Sequence, residues 1–118
     1  MSVAIADFLR LTDALPGVDS RDAEHWTSFT VQGRTFGYLG PRTETVGLKQ
    51  TRAEQAALVA ERPDVFEVQF TTAWFGWVVV SLERIDLDEL AELVFEAWRL
   101  TAPPALATDD MGPPYLSR

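Results

Sequence analysis

The stretch TTAWFGWVVVSL, residues 71–82, constrains the fold of this chain more than any other. Its aromatic and β-branched residues favour a strand. In a strand, successive side chains point to opposite faces. Phe75, Trp77 and Val79 then face one way, and Gly76, Val78, Val80 and Leu82 the other. Both faces are apolar. A chain of 118 residues builds one domain with one core. The second face therefore needs another cover or is itself a surface.

The rest of the chain supplies the elements around that strand. Residues 3–15 read as a helix, with Ile5, Phe8, Leu9 and Leu15 on one side, and LPG at 15–17 stops it. VDSRDAEH is polar and reads as a loop. WTSFTVQGRTFGYLG reads as a hairpin turning at Gln32-Gly33. GPR marks a further turn, and residues 44–49 read as a third strand. TRAE at 51–54 has capping-box spacing, in which the Thr51 hydroxyl accepts from the Glu54 amide. The short helix it opens ends before Pro63. VFEVQF at 65–70 alternates, and residues 71–82 follow as a fifth strand. Asp86 is a fitting N-cap for a last helix, whose buried stripe is Leu87, Leu90, Leu93, Val94 and Ala97; APP at 102–104 ends it.

The order α-β-β-β-α-β-β-α predicts a two-layer α+β domain over residues 1–104, with a five-stranded, mainly antiparallel sheet and three helices. Residues 105–118, rich in Pro, Gly and polar residues, read as a tail that is loosely ordered or packed on the domain.

Several function classes are disfavoured. There is no cysteine, hence no disulfide and no thiolate ligand or nucleophile; this fits a cytoplasmic protein. No apolar run reaches the ~18 residues of a membrane helix. MSVAIADFLRLTD does not read as a secretory signal, since it lacks a basic start and carries Asp7 and Asp13. No phosphate-binding glycine loop, nucleophile elbow or metal-ligand spacing occurs. The single histidine, His25, beside Glu24 and Trp26, reads as a structural group rather than a general base. No enzymatic activity, no metal and no cofactor are expected. The net charge of −8 repels phosphate backbones and anionic membranes at long range.

Six segments, in this order and spacing, resemble the YjbR/MmcQ family of small bacterial proteins. They are ALPGV at 14–18, HW at 25–26, F-x-V-x-G-R-x-F from Phe29 to Phe36, LK at 48–49, GWV-x-V-x-L at 76–82, and DELAEL with AWRLTAP in the last helix. They span nearly all of the chain up to Pro104. The resemblance implies a sheet similar to those of type III secretion chaperones and frataxin. It also implies a DNA-binding role, the label that family commonly carries.

Alternation assigns Phe29, Val31, Phe36, Tyr38, Val46, Leu48, Phe66, Val68, Val78 and Val80 to the core face. The second face receives Trp26, Ser28, Thr30, Thr35, Gly37, Leu39, Thr45, Gly47, Lys49, Glu67, Gln69, Phe75, Trp77 and Val79. Three covers compete for it. One is the chain's own tail or a helix edge. Another is a second copy in a homodimer. The third is a ligand: bases or a planar molecule on Trp26 and Trp77, with Arg34 and Lys49 on phosphate. His25 and Phe75 are secondary candidates. A protein partner, held by the aromatic face or by the acidic last helix, is the alternative to nucleic acid.

Overall fold

In the computed structural model, which describes residues 3–68 and 76–104, the order is α1 (Ile5–Asp13), β1 (Val18–Asp22), β2 (Thr27–Val31), β3 (Arg34–Gly40), β4 (Thr45–Leu48), α2 (Arg52–Glu61), β5 (Phe66–Glu67), β6 (Val78–Ser81) and α3 (Leu87–Thr101). The six strands form one antiparallel sheet in the order β1-β2-β3-β4-β6-β5. The helices pack on one face of it, so the fold is the α+β two-layer domain the sequence predicts.

Local chemistry explains the elements. The Asp7 carboxylate accepts from the Ala4 N–H at 3.3 Å, closing the first turn of α1. Gln32 and Gly33 both take positive φ, 52° and 78°, which is the two-residue turn whose twist suits a hairpin. The Thr51 hydroxyl accepts from the Glu54 N–H at 3.0 Å and caps α2 as its spacing predicts. Asp86 occupies the N-cap of α3.

The core lies between the helices and the inner sheet face. Phe8 of α1 meets Phe29 of β2 edge-to-face at 5.3 Å. Val31, Val46, Leu48, Val78 and Val80 are fully buried in one cluster with Leu90, Val94 and Trp98 of α3. The Trp98 indole N–H donates to the Pro16 carbonyl at 3.0 Å, pinning the α1–β1 loop to the end of α3.

Four expectations are corrected. Residues 18–22 form an edge strand, not a loop, so the sheet has six strands. Only Val18 packs against the core, which is why no hydrophobic alternation announced the strand. Tyr38 is exposed and Leu39 buried, the reverse of the simple alternation. The cause is a register shift: Phe29 pairs with Gly37 but Thr30 with Thr35, so Phe36 is an extra residue. Such a bulge reverses the faces of everything after it, and Gly37 moves to the core side with Leu39. Val68 is exposed just beyond the two-residue β5, and Leu87 is exposed at the start of α3. Residues 69–75, Phe75 among them, and the tail from residue 105 lie outside the described residues.

Candidate functional site

The strands β1 to β4 run as a meander, so the β1–β2 and β3–β4 connections emerge at the same end of the sheet. In the first, the Ala23 N–H donates to the Trp26 carbonyl at 2.7 Å. The Thr27 hydroxyl donates to the Asp22 carboxylate at 2.8 Å. These bonds close a tight loop that carries His25 and Trp26 over the end of the sheet. In the second, Glu44 takes φ 51°, a left-handed turn before β4. The Thr43 and Thr45 hydroxyls lie 2.7 Å apart, and Thr43 donates to the Gly40 carbonyl at 3.4 Å.

The register then assembles the open face. Ser28, Tyr38, Gly47 and Val79 lie in one row across β2, β3, β4 and β6. Gly47 contributes no side chain, so the Tyr38 and Trp77 rings meet over it at 5.5 Å with their planes tilted by 38°. A Cβ placed on Gly47 would stand 4.0 Å from each ring, so the glycine forms a floor. The result is a depression of about 450 Å³. Tyr38, Trp77 and Trp26 wall it, while His25, Thr43 and Thr45 close its loop end. Trp26 is 50% exposed.

Trp77 is held from the core side. Gly76 has φ 79°, and any Cβ there would collide with the Gln50 carbonyl oxygen and lie 2.7 Å from the Thr51 carbonyl carbon. The Gln55 amide of α2 donates to the Trp77 carbonyl at 2.8 Å. The start of α2 therefore fixes where β6 begins, and with it the ring on the opposite face.

Among the described residues, no Lys, Arg, Asp or Glu lines the depression. The His25 imidazole lies 3.9 Å from the Glu24 carboxylate, both at the surface. No group of three His, Cys, Asp or Glu among the described residues could hold a metal ion. No helix among them is long and apolar enough to cross a membrane.

Of the residues singled out in the sequence, His25, Trp26 and Trp77 come together. Lys49 follows β4, its N–H donating to the Phe36 carbonyl at 3.1 Å. It is partly buried and outside the lining. Arg34 begins β3 at the far end of the hairpin, about 13 Å along the strand from Tyr38. Sequence reasoning missed Tyr38, because the bulge hides its face. It also missed the paired hydroxyls of Thr43 and Thr45. The aromatic residue between two glycines in GYLG was the one available hint.

The YjbR family model matches residues 13–100. No curated protein matches the chain. Among solved structures, the chain is similar to the crystal structure of Deinococcus radiodurans protein DR2400, which carries the DUF419 domain. The identity is 16%, the TM-score 0.75, and the match covers 95% of this chain and 83% of that one. A likeness at that identity concerns the fold.

Proposed function

Because the chain belongs to the YjbR family, we propose that it is a non-enzymatic binding module of that family, one that docks another polypeptide in the aromatic depression of its open sheet face. The observation that carries this reading is the Tyr38–Trp77 pair over the bare floor of Gly47, with Trp26 half exposed beside it. Exposed Trp and Tyr grouped around a concave floor are the residue types that anchor protein interfaces. A lining whose described residues include no Lys or Arg offers phosphate no charged partner from them inside the depression. Binding rather than catalysis fits a lining in which the one imidazole, that of His25, is at the surface, with the Glu24 carboxylate 3.9 Å away and beyond hydrogen-bond reach.

The second reading is nucleic acid, with the bases of a single strand on Trp26 and Trp77. Two cations favour it. Arg21 stands opposite Ser28 in the same row as Tyr38, and Lys49 lies two residues past Gly47. Tryptophan fluorescence, titrated with single- and double-stranded oligonucleotides at ~50 and ~200 mM salt, separates the readings. Docking of a polypeptide predicts no saturable quenching by either oligonucleotide. Saturable quenching that weakens steeply with salt would transfer the face to nucleic acid.

A further inference from the structure

We infer that the group taken by the depression is an arginine guanidinium presented by the partner polypeptide. This rests on the docking reading above and names what is docked.

Charge comes first. The faces of Trp and Tyr rings carry the negative part of the ring quadrupole, so rings around one depression attract a cation. Trp26, Tyr38 and Trp77 all line it, and among the described residues no Lys or Arg does. Carboxylates flank it: Glu24 precedes His25, Glu44 sits between Thr43 and Thr45, and Glu67 pairs with Val79. Arg42, Arg21 and Lys49 lie nearby but outside the lining. The whole chain carries −8, so a cation approaches with the field and an anion against it.

Hydrogen bonding comes second. The Thr43 hydroxyl donates to the Gly40 carbonyl. The Thr43 and Thr45 hydroxyls lie 2.7 Å apart, so whichever donates, one of their two protons is committed between them. Both oxygens keep lone pairs beyond that bond, acceptors for a group that brings N–H donors. Guanidinium is planar, permanently charged and carries five N–H donors. It stacks on aromatic faces and sheds water more readily than a lysine ammonium. Its planar head and stem fit a depression of about 450 Å³.

The test is fluorescence anisotropy of the full chain with four labelled probes. These are an arginine–glycine repeat peptide, the same peptide with citrulline at every arginine, a lysine–glycine repeat peptide, and a single-stranded oligonucleotide. Citrulline keeps the shape and loses the charge. The arginine peptide is expected to bind, and the citrulline peptide to bind about tenfold more weakly or worse. Gly47→Val, which fills the floor, is expected to abolish arginine-peptide binding with the circular dichroism spectrum and Tm retained. Equal binding of the citrulline peptide would overturn the guanidinium inference and leave the docking reading standing. So would a lysine–glycine peptide that binds as tightly as the arginine one. Binding of the oligonucleotide alone, lost in Gly47→Val, would overturn both. Arginine-peptide binding unchanged in Gly47→Val would place the site elsewhere and also overturn both.

Discussion

The side-chain amide of Gln55 donates to the backbone carbonyl of Trp77 at 2.8 Å, joining the buried side of α2 to the residue whose ring faces Tyr38 on the far side of the sheet. Gln55 is 9% exposed, so the Trp77 carbonyl has little water with which to replace it. Gln55→Met keeps the volume and removes the donor. The expected loss of stability is about 1–3 kcal/mol, the usual cost of stranding a buried acceptor. Urea denaturation measures it.

Two glycines predict opposite outcomes for the same substitution. At Gly76, a Cβ meets the backbone of residues 50–52 and φ is 79°, so Gly76→Ala is expected to cost at least about 3 kcal/mol. At Gly47, a Cβ finds 4.0 Å to both rings. Gly47→Ala is expected to stay within about 0.5 kcal/mol of the parent or to stabilise it, since glycine weakens a strand. Thermal unfolding of the two variants side by side checks the contrast.

Trp98 is fully buried and its indole N–H is bonded to the Pro16 carbonyl. Trp98→Ala is expected to cost ~3–5 kcal/mol by cavity formation. Trp98→Phe fills most of the space but strands the Pro16 acceptor, and its expected cost is about 1–3 kcal/mol. Denaturant midpoints of both variants measure the two parts separately.

The Arg62 guanidinium meets the Glu89 carboxylate at 2.6 Å and the Arg84 carbonyl at 3.3 Å, linking the end of α2 to the start of α3. Both side chains are about one-third exposed, 40% and 30%, so solvent screens the pair. A double-mutant cycle with Arg62→Ala and Glu89→Ala is expected to give a coupling of about 0.5–1 kcal/mol that shrinks as salt is added.

How much of this was legible in the sequence depends on what each residue signals locally. Gln32-Gly33 and Thr51 with Glu54 each depend on a few neighbours, and each could be read directly. The edge strand β1 could not, because VDSRD puts one apolar side chain on the core and alternation needs several. The bulge at Phe36 could not either. In TFGYLG only Gly37 hints at the extra residue, which decides that Tyr38 rather than Leu39 meets Trp77. The site was half legible for the same reason. Trp26 and Trp77 stood out as large rings, whereas their grouping with Tyr38, Thr43 and Thr45 is a product of sheet register. Arg34 drew attention through its motif and lies at the other end of the hairpin.

The most direct test of the account is an NMR titration of the indole N–H signals with the arginine–glycine peptide. Trp98 is a built-in control, since its ring is fully buried and its N–H is bonded to the Pro16 carbonyl. The account predicts that the Trp26 and Trp77 signals shift together along one binding curve while the Trp98 signal stays in place. Binding that leaves Trp26 and Trp77 unmoved would contradict it.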